Sequence, residues 1–332
     1  MAVLVPLNSF GVLERYKDAG VGEVYMGFHD DTWTERFGKR ADLNRMSGFG
    51  LSANPFTFEQ MCDQLSQARE LGIHGFVCFN SALYSEEMLD YIRREYLPGI
   101  AQAGAQGVIV SGQGLIESVR DAGVDAVIST LAGAFNERLV AHYAERGASR
   151  VILPRDLSLA EIQGIVNANP DLEYEVFLMR NGCVFSDSHC MGQHCEGKPS
   201  LCLSLRTAST RTWPIDDDPE TDQLARDAAD TEYLWAHYFH RRTCGLCTLW
   251  SFEKLGIAAY KVVGRSDDLD DLLFDASLVA RNADMVHKCA TEEEFLVRME
   301  RPSYPRTLCG YDGLSCYYPD KRYWETWKET RR

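Results

Sequence analysis

A closed barrel of eight strand–helix units, the (β/α)8 architecture, is the fold class that the sequence predicts. Short β-branched runs alternate with amphipathic stretches through most of the 332 residues, and such alternation gives a parallel sheet. Eight units with apolar strands and short loops fit a closed barrel better than an open doubly wound sheet. No GxGxxG motif follows the first strand, which argues against a dinucleotide-binding fold.

Each predicted strand is a short apolar run, and most of the strands are followed by a helical pattern. The eight strands are expected at 3–6, 23–28, 75–80, 107–112, 126–130, 150–154, 173–179 and 258–263. Before the third strand, "TFEQMCDQLSQARELG" places apolar residues at helical spacing and ends at a glycine, which is a normal helix stop. Comparable patterns run from "GVLERYKDAG" after the first strand to "DLDDLLFDASLVARNA" after the eighth.

The alternation breaks between the seventh and eighth strands. Residues 181–250 are polar, acidic and rich in cysteine, and so long a segment inside a compact domain usually has a function. We therefore predict a cysteine-rich insertion over the mouth of the barrel. The domain prediction is a barrel with this insertion over residues 1–300, and an irregular C-terminal tail over 301–332, rich in proline and aromatic residues and packed on the barrel.

Composition limits the compartment and the partners. The sequence has no run of 18 apolar residues, and "MAVLVPLNSFG" reads as a first strand because it lacks a basic leader and a long apolar core. We expect a cytoplasmic protein without a membrane span. Its formal net charge of −15 makes nucleic acid an unfavourable partner, although a local basic patch is compatible with that total.

Six of the 11 cysteines are concentrated in the predicted insertion. They are Cys183, Cys190, Cys195, Cys202, Cys244 and Cys247. In a reducing compartment, clustered thiols bind metal more often than they form disulfides. Zinc would favour two matched CxxC pairs, and only "CGLC" is present. An iron–sulfur cluster accepts looser spacings and needs four thiolates, so the pattern favours a cluster.

The remaining cysteines have simpler interpretations. Cys62 on a helix face and Cys78 inside a strand are expected to pack as small hydrophobic residues, and Cys289 is grouped with them. Cys309 and Cys316 could pack, pair with each other or bind a ligand. The histidines among and after the clustered thiols are expected to be exposed rather than ligating.

Polar residues that follow the strands are the candidates for a substrate site, because barrels of this type place their sites at the carboxyl ends of the strands. The candidate substrate-site residues are Arg155, Asp156, Lys261 and Arg265. The three basic side chains could hold a carboxylate. For Arg265, a salt bridge to the acidic run that follows it is the structural alternative. GxSxG and HExxH are absent from the sequence, so a familiar serine or zinc hydrolase is not supported.

Three stretches in this order, "RVILPRDLSLAEI", "EYEVFLMRNGCVFSDSHC" and "GIAAYKVVGR", resemble the peptidase U32 family, also called collagenase-like peptidases. "VPLNSF", "GVGEVYMGF" and "STLAGAFN" also fit early strands of that family, so the resemblance spans about residues 3–266. It implies a TIM-type barrel with an oxygen-sensitive [4Fe–4S] cluster. It also implies oxygen-independent hydroxylation of a quinone precursor or of RNA bases, with prephenate implicated as oxygen donor. Peptidase activity is claimed for a few members.

The resemblance carries over to individual cysteines. Cys183 and Cys190 match the first two cluster cysteines in context and in their spacing of seven. Cys244 and Cys247 stand where the last cluster cysteine is expected. The predicted ligands are Cys183, Cys190, Cys244 and Cys247, with Cys202 or Cys195 as alternatives. Two departures concern carboxylates: Asp156 stands where the family often has glutamate, and Val263 replaces the glutamate of the last motif.

The expected function is an iron–sulfur oxidoreductase or hydroxylase that acts without oxygen on a small, aromatic molecule. The alternatives are an RNA-base hydroxylation enzyme, which the net charge disfavours, a peptidase, and a non-catalytic iron–sulfur partner subunit. Because members of the resembled family work in pairs, the resemblance also implies a heteromeric partner of the same family.

Overall fold

A computed structural model describes residues 1–81, 83–183, 186–190, 243–302 and 316–318. In it, eight parallel strands form a closed barrel in chain order, and the last strand pairs with the first. The strands are β1 Ala2–Pro6, β2 Val21–Met26, β3 His74–Phe79, β4 Gly107–Val110, β5 Asp125–Ile128, β6 Arg150–Ile152, β7 Glu173–Met179 and β8 Ala259–Val262. Each overlaps a predicted strand, so the predicted (β/α)8 barrel is confirmed.

Helices surround this barrel. They are α1 Leu13–Asp18, α2 Asp31–Phe37, α3 Phe58–Glu70, α4 Glu86–Tyr91, α5 Leu97–Gln102, α6 Ile116–Asp121, α7 Glu137–Glu145, α8 Leu159–Ala168, α9 Leu249–Leu255, α10 Leu269–Val286 and α11 Glu292–Arg298. A π-helical turn, Ile92–Tyr96, joins α4 to α5. Thr57 and Ser158 are the N-cap residues of α3 and α8. Each forms a capping box, in which the N-cap side chain accepts a hydrogen bond from the backbone N–H three residues on, and the side chain of that residue accepts from the N-cap backbone N–H. Within the described ranges, no helix is both long and apolar enough to cross a membrane.

The interior of the barrel contains buried ion pairs. Arg150 on β6 donates to both carboxylate oxygens of Glu23 on β2, at 2.6 and 2.9 Å. These strands stand on opposite sides of the barrel, so their side chains meet only through its interior. Lys261 on β8 lies 2.6 Å from the Glu175 carboxylate and 3.9 Å from the ring centroid of Tyr25. The polar interior is thus held by matched charges, as buried charges require.

The part of the tail that is described lies against the end of β7. Tyr317 and Tyr318 are buried, and their hydroxyls donate to the carbonyl oxygens of Arg180 and Phe177, the second at 2.8 Å. Residues 191–242, 303–315 and 319–332 lie outside the described residues, and most of the predicted insertion and tail falls there. The division of the chain at residue 300 therefore stays a prediction.

Candidate functional site

A buried carboxylate lies between the first two predicted cluster cysteines. Asp187 begins a 3-10 turn, Asp187–His189, and its side chain is fully buried. Arg45 donates to one carboxylate oxygen at 2.8 Å, and Arg155 donates to the other at 2.6 Å. The hydroxyl of Thr130 adds a third hydrogen bond at 3.2 Å. Since these partners follow β2, β6 and β5, one turn is tied to three loops at the carboxyl end of the barrel.

The charges of this cluster stabilise one another. Burial alone would raise the pKa of Asp187, but the guanidinium groups of Arg155 and Arg45 hold it well below its ordinary value. Burial alone would lower the pKa of Arg155. The pKa is nevertheless raised above its ordinary value, because Asp187 outweighs burial and Cys183 also raises it. All three groups therefore stay charged at neutral pH, and the cluster carries one net positive charge next to the thiols.

Three of the predicted iron–sulfur ligands interact electrostatically with the arginines of this ion-pair group or with Tyr317, which is coupled to them. Cys183 and Cys244 both interact electrostatically with the buried Tyr317. Cys190 interacts with Arg45, a partner of the buried aspartate. The fourth predicted ligand, Cys247, lies in the 3-10 turn Leu246–Thr248. The alternative ligands Cys195 and Cys202 lie outside the described residues.

Cys244 is held in a small extension of the barrel sheet. It forms an antiparallel bridge with Met179 and a parallel bridge with Cys316. The backbone N–H of Tyr317 donates to the carbonyl oxygen of Cys244 at 3.1 Å. Residues paired across a bridge point to the same face of a sheet, so Cys316 is brought beside a predicted ligand. The sequence left the role of Cys316 open, and Cys309 lies outside the described residues.

The backbone that leads into Cys183 is left-handed at two consecutive residues that are not glycine. Arg180 has φ 67° and Asn181 has φ 43°. Such conformations persist only where the surroundings hold them. Here the backbone N–H of Arg180 donates to the carbonyl oxygen of Thr243 at 2.7 Å. The Arg180 side chain is also clamped by three carboxylates, one just before α10 and two in its first two turns. Its partners are Asp267 at 3.1 Å, Asp271 at 3.0 Å and Asp275 at 3.1 Å.

Arg265 occupies a different position at the same end of the barrel. It is 5% exposed, and its guanidinium donates to the side chains of Asn44 and Asn54 and to the carbonyl oxygen of Ala53. Its Nε is buried and, within the part of the chain that the structure describes, has no hydrogen-bond partner. Burial lowers the pKa of Arg265, because none of its hydrogen-bond partners among the described residues carries a negative charge.

The predicted alternative for Arg265, a salt bridge to the acidic run after it, is not formed among the described residues. The first acid of that run, Asp267, instead accepts hydrogen bonds from Arg180 and Asn181. The carbonyl oxygens of Arg265 and Asp267 accept from the side chain of Asn8, at 3.1 and 3.0 Å, which ties the end of β8 to the end of β1.

A glycine makes room for the arginine. A Cβ atom added to Gly27, which follows β2, would lie 2.7 Å from Nδ2 of Asn44 and still closer to the Asn54 side chain and to the guanidinium of Arg265. Real Cβ atoms do not come so close to polar atoms without displacing them. Only glycine allows the three side chains to approach this strand end.

The four predicted substrate-site residues thus have different surroundings. Arg155 is paired with Asp187, and Lys261 with Glu175 inside the barrel. Asp156 is exposed in the turn after β6. Among the three basic candidates, Arg265 is the one whose described surroundings contain no carboxylate partner. It is therefore the one best placed to pair with an anionic ligand.

The predicted ligands are all thiols, the donor type that an iron–sulfur cluster uses. Across the described ranges, no group of three or more His, Cys, Asp or Glu side chains is arranged to hold one ion. In a [4Fe–4S] cluster, by contrast, each thiolate binds a different iron. Cys183 and Cys190 flank the turn of Asp187 in the chain, and Cys244 is bridged to Met179 at the end of β7, so three soft donors come from neighbouring segments. Which cysteines act as ligands stays a prediction.

Asp187 and Arg45 are among the residues of this site that sequence reasoning missed. Asp187 stands between the two cysteines of "CVFSDSHC", a position that could have been noticed. Arg45 lies in the long connection between α2 and α3, where no local pattern marks it.

Comparisons with known proteins identify the family to which the chain is similar. The model of peptidase family U32 matches residues 9–304. The chain is 33% identical to the tRNA hydroxylation protein P of Escherichia coli over 140 residues. This match covers 42% of this chain and 30% of the relative. It is 25% identical over 266 residues to the tRNA hydroxylation protein P1 of Bacillus subtilis, 76% of this chain and 59% of the relative.

More distant matches include a protein named collagenase from Porphyromonas gingivalis, 24% identical over 163 residues, which is 49% of this chain and 35% of that protein. A solved structure described as the U32 peptidase Mk0906 has a TM-score of 0.47 and 12% sequence identity, and covers 80% of this chain and 94% of that one. The matched regions of these curated relatives span between 30% and 59% of their own lengths.

Proposed function

This chain belongs to peptidase family U32, and from that premise we propose that it takes part in an oxygen-independent hydroxylation with a [4Fe–4S] cluster as cofactor. A base in tRNA is the substrate we propose first, since two relatives bear the name tRNA hydroxylation protein. The observation that carries the proposal is that Cys183 and Cys190 flank the ion-paired turn of Asp187, while Cys244 is bridged to Met179 on β7, the strand that leads into Cys183.

In this proposal, the four ligands of the cluster are Cys183, Cys190, Cys244 and Cys247. Cys195, Cys202 and Cys316 are the other thiols that could complete the set. A bound cluster would supply electron transfer or, with three cysteine ligands, an iron open to substrate.

We assign Arg265 the binding of a carboxylate on the oxygen donor, for which prephenate is the proposed compound. A buried guanidinium without a negative partner is costly, and a carboxylate ligand would relieve that cost. The Nε–H of Arg265 is a donor that is not already used by the described residues. Asn44 and Asn54 orient the group by hydrogen bonds.

The cofactor is tested first. The protein is purified without oxygen, and its iron, acid-labile sulfide and visible absorption are measured. We expect about four irons and four sulfides per chain. A colourless protein with stoichiometric zinc would contradict the proposal.

The ligands are tested by substitution with serine, one cysteine at a time. The panel is Cys183→Ser, Cys190→Ser, Cys195→Ser, Cys202→Ser, Cys244→Ser, Cys247→Ser and Cys316→Ser. Cys62→Ser and Cys289→Ser serve as controls, because Cys62 lies within α3 and Cys289 between α10 and α11, both outside the predicted insertion. A variant that retains full iron content removes its cysteine from the ligand set.

The substrate is tested in a bacterial strain that lacks its own tRNA hydroxylation protein. We expect expression of this chain to yield a tRNA nucleoside heavier by one oxygen atom, seen by mass spectrometry. The Arg265→Gln variant should lose the product while it keeps the cluster. An active cluster protein that leaves every nucleoside unchanged would contradict tRNA as the substrate.

A small aromatic molecule is the second candidate substrate. The net charge of −15 favours it, since a polyanion is repelled by such a chain. The same strains, analysed for hydroxylated small metabolites instead of nucleosides, separate the two candidates. Co-purification from a native source tests whether a family partner accompanies the chain.

A further inference from the structure

The turn that contains Asp187 is tied to both neighbouring cysteines. On its C-terminal side, the backbone N–H of Cys190 donates to the carbonyl oxygen of Asp187 at 3.0 Å. On its N-terminal side, Arg155 donates from Nε to Asp187 and from Nη1 to the carbonyl oxygen of Asn181, which lies two residues before Cys183. One arginine thus holds the chain on both sides of Cys183.

The other partners fix the turn against the barrel. The backbone N–H of Arg45 donates to the side chain of Asn80, at the end of β3, at 3.2 Å. The side chain of Arg45 reaches Asp187 from there. The turn also packs closely on the loop after β5, because a Cβ atom added to Gly133 would lie 3.0 Å from the Cβ of Ser188. The turn therefore has little freedom to move while the carboxylate keeps its partners.

We propose that Asp187 is a positioning residue that fixes the Cys183 and Cys190 thiols at the barrel mouth. It takes these thiols as cluster ligands and so rests on the proposed function. The physical reason is that a fully buried carboxylate with three donors holds one geometry. Asparagine keeps the shape of the side chain but loses the charge, which leaves Arg45 and Arg155 facing each other without compensation.

Thiol reactivity in the protein without metal tests the positioning directly. Each cysteine's alkylation rate is measured by mass spectrometry in the wild type, in Asp187→Asn and in the control Asp121→Asn. Asp121 is exposed and pairs only with Arg120 among the described residues. Cys78, which is 2% exposed, reports global unfolding. In Asp187→Asn we expect Cys183 and Cys190 to react about tenfold faster or more, because loss of a buried ion pair favours local opening.

The selectivity of the effect decides the result. Faster alkylation of Cys183 and Cys190 with Cys78 unchanged supports the proposal, and unchanged rates at both cysteines overturn it. If Cys78 also reacts faster in Asp187→Asn, that variant is unfolded, and Thr130→Val is used in its place. Thr130→Val removes one hydrogen bond to Asp187 and keeps every charge. It should accelerate the same two cysteines by about two- to threefold. No acceleration in Thr130→Val then overturns the proposal.

The metal-loaded protein gives a second readout. We expect Asp187→Asn to release iron to a chelator faster than the wild type. The reduction potential of its remaining cluster should be higher, because a negative charge near the cluster is lost. Equal release and equal potential in both proteins would contradict the proposal. A wild type that takes up no iron refutes the cofactor of the proposed function, whereas the alkylation rates still decide whether Asp187 positions the thiols.

Discussion

The Nε of Arg155 lies 2.6 Å from a carboxylate oxygen of Asp187, and the same guanidinium lies 4.1 Å from the ring centroid of Phe177. The arginine therefore links the end of β6 to the turn between two cysteines while it rests on a residue of β7. A guanidinium can do both because its plane stacks on an aromatic ring while its edge donates hydrogen bonds. The ion pair is buried on both sides, so it depends on both partners.

Arg155→Met should lower the free energy of unfolding by about 3 kcal/mol or more, because the buried carboxylate of Asp187 loses one of its two cationic partners. Urea unfolding under anaerobic conditions measures it. Arg120→Met is the matched control, since the Arg120–Asp121 pair is exposed, and it should change stability by less than about 1 kcal/mol. Equal effects of the two substitutions would contradict the importance of burial here.

Glu23→Gln and Glu173→Gln separate the buried from the exposed partner of one arginine. Both carboxylates bind Arg150, but the Glu23 side chain is 4% exposed and that of Glu173 is 58% exposed. We expect Glu23→Gln to cost about 3 kcal/mol or more and Glu173→Gln less than about 1 kcal/mol. Thermal or urea unfolding of the two variants measures the difference. A larger loss in Glu173→Gln would mean that the interior pair does not support the barrel.

The sequence was sufficient to predict the barrel because its strands are apolar runs separated by helical patterns, and those patterns are local. The short helices α2, α9 and α11 were not predicted, since none of them lies in the regular alternation. The thiols were recognised as a group from their density. Their arrangement depends on contacts over long sequence distances, such as Arg45 with Asp187, which are 142 residues apart, and Cys244 with Cys316.

The basic candidates show the same limit. Arg155, Lys261 and Arg265 are equivalent in the sequence as positive residues near strand ends. Only the fold reveals that two of them have carboxylate partners and that Arg265 is surrounded by amides. No spacing rule could distinguish them, because the partners come from other strands and loops.

Asp275 should make stability depend on pH. Burial raises its pKa to about 6, and Arg180 offsets this only in part. The folded protein therefore binds a proton that the unfolded chain releases near pH 3.9. This contribution is fully present below that pH and is lost as pH rises through about 6.

The comparison of wild type with Asp275→Asn isolates this contribution. Between pH 4 and pH 7, the wild type should lose up to about 3 kcal/mol relative to the variant in urea unfolding. Asp271→Asn is the control, because Asp271 binds the same arginine but is 64% exposed. Its stability should follow the pH dependence of the wild type. A wild type and an Asp275→Asn variant with parallel pH profiles would show that Asp275 does not titrate in this range.

Gly27→Ala should disturb the position of Arg265 without removing any charge. The new methyl group would overlap the guanidinium and the amides of Asn44 and Asn54, so these side chains must move. We expect a loss of about 1–3 kcal/mol of stability from overpacking. Prephenate, titrated calorimetrically into the anaerobic protein, should bind at least about tenfold more weakly, because the buried Nε no longer faces the same space.

Gly112→Ala is the matched control for this prediction. Gly112 also follows a barrel strand, has an ordinary extended backbone, and has nothing within 4 Å of an added Cβ atom. It should bind prephenate as the wild type does. Arg265→Lys keeps the charge but loses the planar donors, so it should weaken binding as well. If Gly27→Ala and Arg265→Lys both bind prephenate with wild-type affinity, Arg265 is not the residue that receives the carboxylate.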